Sequence, residues 1–133
     1  MIKELVIVRP DDWHLHLRDK DLLPITVNES AKCFARAVIM PNLVPPITKL
    51  IDAENYKQRI MTALRPNLSF NPLMTLYLTE ETDPKEVKEG FLSDQISAVK
   101  LYPAGATTNS QSGVRNFEKI KSVLEIMAEI GCP

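Results

Sequence analysis

Apolar and polar positions change their spacing repeatedly along the chain, and each change marks an element. "ELVIVRPDDWHLHL" reads as one or two strands. In "ITVNESAKCF" the spacing becomes helical: Val27, Ala31 and Phe34 share one side, and Thr26 and Glu29 stand in capping-box spacing. "RAVIMPN" is a short β-branched run stopped by Pro41, so a buried strand. "AENYKQRIMTALR" puts Ala53, Tyr56, Ile60, Ala63 and Leu64 on one helical face, with Pro66 beyond its end. "NPLMTLYLT" predicts another buried strand. Asp83 and Pro84 suit the cap and first turn of a helix that turns Val87 and Phe91 inward, with Glu86 within reach of the box. "SAVKLYP" predicts a fourth strand. Asn116 then opens a last helix with Phe117, Ile120, Leu124, Met127 and Ile130 on one face and Gly131 as its stop.

The predicted order is βαβαβαβα, in units of roughly 25 to 35 residues, with no linker or low-complexity stretch. Strands that are continuously apolar between helices imply a parallel sheet covered by helices. Two architectures fit: a small open doubly wound sheet, or part of a (β/α)8 barrel. The polar residues help to decide. His14, His16 and Arg18 follow the first strand's apolar start, Asn42 ends the second, and Lys100 and Tyr102 end the fourth. Parallel α/β folds place their active sites at these carboxyl ends. No strand is followed by a glycine-rich phosphate loop, which counts against a nucleotide-binding open sheet.

Composition removes several function classes. The net charge of -1 gives no electrostatic case for nucleic acid or an anionic membrane surface. The apolar run in "MIKELVIVRP" is too short for a membrane span or a secretory signal. Cys33 and Cys132 form no CxxC pair, and without an export signal they are expected as reduced thiols in a cytoplasmic protein.

The stretch "RPDDWHLHLRD" holds both histidines of the chain. On a strand, His14, His16 and Arg18 would share one face, and Trp13, Leu15 and Leu17 would seat the other against the core. Two imidazoles projecting the same way can hold one metal ion, and zinc is the usual choice for nitrogen and oxygen ligands. Blander roles remain open at this point. Either histidine could be a hydrogen-bonded core residue, and Lys100 could run out to solvent. Asn42 could simply make a turn, and Arg18 could pair with Asp19 or Asp21.

Taken together, "RPDDWHLHLRD", "MPNLVPP" and "KLYPAGATTNS" resemble segments of dihydroorotase, specifically the single-function bacterial and plant type. The likeness extends through "PLMTLYLT" and "NYKQRI" and covers essentially the whole chain. It implies a (β/α)8 barrel of the metal-dependent amidohydrolases, which reversibly hydrolyses the cyclic amide of (S)-dihydroorotate to N-carbamoyl-L-aspartate in pyrimidine biosynthesis. By that resemblance His14 and His16 match ligands of the more buried Zn2+. Lys100 matches a lysine carboxylated on its amine that bridges two Zn2+ ions, and Arg18 and Asn42 match residues that hold the substrate carboxylate.

The resemblance also sets expectations about what 133 residues lack. A whole barrel takes about 250 residues, so residues 1–133 are expected to be a partial domain of about four βα units that stops before the fifth strand. The family's later zinc-binding histidines and its aspartate base lie past that point. At most one weakly held metal is therefore expected, with no activity for this chain alone, and association with itself or with a complementing C-terminal half. A non-catalytic half-barrel is the alternative, and another cyclic-amide hydrolase a further one.

Overall fold

The computed structural model describes residues 3–133. In chain order it contains strand β1 (Asp11–Leu15), helix α1 (Leu23–Cys33), β2 (Arg36–Ile39), α2 (Leu50–Ala63), β3 (Asn71–Leu73), β4 (Thr75–Tyr77), α3 (Pro84–Leu92), β5 (Ala98–Lys100) and α4 (Lys121–Ile130). Short 3-10 turns at Lys20–Leu22 and Phe117–Ile120 lead into α1 and α4. Strands β1, β2 and β3 form one parallel sheet in that order, and β4 and β5 pair parallel in a second. The alternating parallel α/β class expected from the sequence is the one observed.

"NPLMTLYLT" differs from expectation in one respect: it is two strands, interrupted at Met74. Its first part pairs with β2 and its second with β5. The break is well satisfied. The Met74 carbonyl accepts from Ser97 N at 2.8 Å, and the Thr75 hydroxyl donates to the Ile39 carbonyl at 2.5 Å. A side chain thus supplies the partner that a continuous ladder would have provided. Because β3 and β4 are one run of chain, the strands follow one another in space as they do in sequence. Short right-handed connections between neighbouring parallel strands give that order.

Helix α2 buries Ala53, Tyr56 and Ile60 as its spacing predicts, and α3 begins at Asp83 and Pro84, with the Asp83 carboxylate accepting from Lys85 N at 2.9 Å. Helix α1 starts earlier than expected. It begins at Leu23, so Thr26 and Glu29 lie inside it and form no capping box. Thr26 instead donates to the Leu17 carbonyl at 2.6 Å. In the last helix Ile120 is buried as expected, but Phe117 and Leu124 are exposed and Val123 is buried. The 3-10 turn at 117–120 advances three residues per turn rather than 3.6, which rotates the buried stripe away from a purely α-helical projection.

The N-terminal apolar run also departs from the pattern. Strand pairing begins only at Asp11, and Leu5, Val6, Ile7 and Val8 are exposed. Trp13, expected in the core, is 66% exposed, with the Arg36 guanidinium 5.9 Å from its ring centroid. Leu17 is fully buried and Leu15 packs on the core, so the apolar side of this segment is only partly covered. The physical reason is the position of β1: β2 is its one strand partner among the described residues. A strand and its outward side chains are buried only where a neighbour covers them.

Glu80 ties the β4 side of the structure to the approach of α4. Its carboxylate pairs with Lys119 at 2.8 Å and accepts from Arg115 N and Asn116 N at 3.0 and 2.9 Å. The Lys119 hydrogen bond, followed by the two backbone donors, pulls its pKa down to about 2. A carboxylate depressed in the folded state contributes stability above its ordinary pKa and loses it as the pH falls towards the folded value. Melting temperatures of the native protein and Glu80→Gln should therefore converge between about pH 4.5 and pH 2. A constant gap across that window would show that Glu80 acts without its charge.

Candidate metal and substrate site

The ladder of β1 is irregular between Asp12 and Leu15, and the strand ends at Leu15. His16 and Arg18 therefore lie just past the strand rather than on it. The two histidines still converge, with Nε2 atoms 3.2 Å apart and ring centroids 5.1 Å apart. The Asp12 carboxylate accepts from His14 N at 2.9 Å, and the Leu15 carbonyl accepts from Met40 N at 2.9 Å, fixing the backbone on either side. Burial, and then the positive charges of Arg18 and His14, lower the His16 pKa, with the Asn42 side chain opposing and Lys100 adding a smaller push. His16 is thereby biased towards the neutral imidazole that a metal needs.

Four segments bring the remaining groups to the same place. Arg18 follows β1 in a left-handed backbone conformation, with φ 61°. Asn42 follows β2, and Lys100 is the last residue of β5. The loop after β5 folds back across the carboxyl end of the sheet. A cavity of about 320 Å³ results, lined by His14, His16, Arg18, Asn42, Lys100, Tyr102, Thr107 and Thr108. All five residues singled out in the sequence for site roles line this one cavity.

Asn42 is not idle. It is buried, its amide donates to the Thr108 carbonyl at 2.9 Å, and its own carbonyl accepts from Asn109 Nδ2 at 3.1 Å. Thr107 and Thr108, which the sequence reading did not single out, enter the cavity through this tie. Their signal was faint, two hydroxyl residues in "GATTNS" with no periodicity to place them. The loop's shape is set by buried Ser110, whose hydroxyl donates to the Thr107 carbonyl at 2.6 Å. It also depends on Gly113, where a Cβ would lie 2.3 Å from the Tyr102 carbonyl oxygen. Tyr102 stacks on Tyr77 at 4.9 Å and lies under the Lys100 ammonium, 5.7 Å from its ring centroid.

Chemically, the cavity lining has imidazoles, a guanidinium, an amine, an amide and hydroxyls, and no carboxylate. That set suits an anionic ligand, and a guanidinium fork suits a carboxylate in particular. The two convergent imidazole nitrogens fit a divalent ion as two of its ligands. Among the described residues no cluster of three or more His, Cys, Asp or Glu completes such a site. A larger open depression of about 700 Å³ between α1 and α2, lined by Asp19, Asn55, Arg59 and their neighbours, gathers none of these groups.

Parallel strands joined by helices, with a histidine pair, a lysine and an arginine gathered at their carboxyl ends, define the class as a (β/α)-barrel architecture seen in part. No protein-family model matches the chain. It is similar over all of its 133 residues to a dihydroorotase of Ruegeria sp. (strain TM1040), at 59% identity, covering 38% of that protein. A dihydroorotase of Sinorhizobium medicae is 58% identical over 132 residues, again with 38% covered. In structure it matches dihydroorotase from Campylobacter jejuni with a TM-score of 0.86 and 45% identity, over 94% of this chain and 36% of that one. The chain is thus similar along its whole length to dihydroorotases, as the counterpart of their N-terminal part, and spans under two-fifths of the length of the relatives it matches.

Proposed function

We propose that the chain contributes the first half of a dihydroorotase active site, acting in pyrimidine biosynthesis on the cyclic amide of dihydroorotate and, in reverse, on N-carbamoyl-aspartate. The observation that carries this reading is the meeting of His14, His16, Arg18, Asn42 and Lys100 on one cavity. His14 and His16 would hold a zinc ion, and Lys100, carboxylated on Nζ, would bridge it to a second. Bound there, the metal would polarise the amide carbonyl and lower the pKa of water. The remaining work falls to side chains. Arg18 pairs with the substrate carboxylate as a bidentate fork. Asn42 adds an amide donor once it releases the Thr108 carbonyl, and Thr107 and Thr108 close the opposite wall against water. The proton acceptor and further ligands would come from the rest of the barrel, of which residues 1–133 form a partial domain. The reading includes a cytoplasmic location, to which the two free cysteines are suited.

The test is complementation. The polypeptide is mixed with the C-terminal part of a related dihydroorotase, zinc and bicarbonate, and loss of dihydroorotate is followed. Turnover is expected; a folded, docked assembly with bound zinc and no turnover refutes the reading. In the active assembly Arg18→Ala should raise KM for dihydroorotate by about 10- to 100-fold, because it removes a charged hydrogen-bonding partner of the substrate. A kcat loss with unchanged KM would reassign that residue.

A second reading, a non-catalytic half-barrel that associates with itself, draws on the exposed Leu5–Val8 run and Trp13. Sedimentation of the 133-residue polypeptide should then show concentration-dependent association rather than a compact monomer. A cooperative monomer over a hundredfold range of concentration would remove this reading.

A further inference from the structure

Arg18 occupies a backbone conformation that a non-glycine residue adopts at a cost, with φ 61°, and Lys20, two residues on, has φ 53°. Isolated left-handed residues are strained for side chains other than glycine and persist where surroundings fix them. Here the surroundings are specific. The Leu17 carbonyl accepts from Thr26 Oγ1 on α1 at 2.6 Å. The Arg18 carbonyl accepts from the hydroxyl of Tyr56, a fully buried residue of α2, at 2.5 Å. The Asp19 carboxylate is gripped by Arg59, one turn further along α2, at 2.8 and 3.1 Å, and accepts from Lys20 N at 2.9 Å. The Arg59 guanidinium lies 5.2 Å from the Tyr56 ring centroid, so the two anchors brace each other.

Resting on the function proposed above, we propose that Tyr56 is a positioning residue for Arg18: its buried hydroxyl holds the left-handed turn that aims the guanidinium into the cavity. Thr26 and the Asp19–Arg59 pair secure the flanking residues, but the hydroxyl of Tyr56 alone takes the Arg18 carbonyl itself. Tyr56 touches neither substrate nor metal in this scheme. Its effect passes through the orientation of one peptide, so it belongs to carboxylate recognition and not to the hydrolytic step.

Tyr56→Phe keeps the ring in the core and removes only the hydroxyl. In the assembly that turns over dihydroorotate, it should raise KM by about tenfold and leave kcat within about twofold, as loss of ground-state positioning does. A substrate analogue carrying a carboxamide in place of the carboxylate should show no such penalty. An unchanged KM, or an equal penalty with the neutral analogue, overturns the proposal. If no assembly turns over dihydroorotate, the functional reading fails and the positioning claim is decided structurally. A crystal structure of Tyr56→Phe should show the peptide between Arg18 and Asp19 turned out of its left-handed conformation. Arg18 unmoved, with φ still near 61°, would overturn the claim whatever the substrate.

Discussion

Lys100→Ala and His16→Ala are each expected to lower dihydroorotate turnover by at least about 10³-fold in the complemented assembly, some 4 kcal/mol of transition-state stabilisation. The two residues come from the first and last strands of the described structure, just past β1 and at the end of β5, and they line one cavity. Their substitution should cost little stability, because neither belongs to the hydrophobic core. Circular dichroism melts close to those of the parent, alongside lost activity and reduced zinc content, would show the expected pattern. The two losses should not add in the double variant, since groups that act as a unit fail together. Turnover retained in His16→Ala would move the metal site elsewhere.

The second large effect concerns the 133-residue polypeptide alone, which should give no measurable turnover even with zinc and bicarbonate supplied. The cavity lining holds no carboxylate to accept a proton, and its two imidazoles leave a tetrahedral ion short of ligands. Self-association would duplicate His14, His16 and Lys100 without adding a carboxylate base to the cavity. A spectrophotometric assay at high protein concentration checks this directly. Robust turnover that survives dialysis against a chelator would mean that the chemistry is not the metal-assisted hydrolysis proposed.

The class of fold was legible because continuously apolar runs such as "RAVI" alternate with helical spacing such as Ala53, Tyr56 and Ile60, and both patterns are direct records of burial. That the five candidate residues would gather in one cavity was legible because each stands at or near the end of an apolar run. What the sequence concealed depends on tertiary partners. Trp13 has the pattern of a core residue and lacks a cover. Thr26 has the spacing of a cap and instead serves the turn before α1. Phe117 and Leu124 were misplaced by a 3-10 turn that no periodicity announces. The parts played by Thr107 and Thr108 arise from a hydrogen bond spanning 66 residues, between Asn42 and Thr108, which no local pattern encodes.

The interruption at Met74 has a geometric consequence. In a flat sheet of aligned strands, the segment from Asn71 to Tyr77 would meet both neighbours along its whole length. Here its early residues face β2, from Arg36↔Asn71 to Val38↔Leu73, and its later ones face β5, from Thr75↔Ala98 to Tyr77↔Lys100. Strands β1, β2 and β3 are level with one another at Asp11, Arg36 and Asn71, whereas β5 meets the segment four residues further along, at Thr75. A lengthwise offset of this kind is shear, and shear accumulated around a sheet sets the tilt of the strands to a common axis and the radius at which they can close. The four-residue step from Asn71 to Thr75 is therefore a local contribution to that shear, concentrated in one short segment.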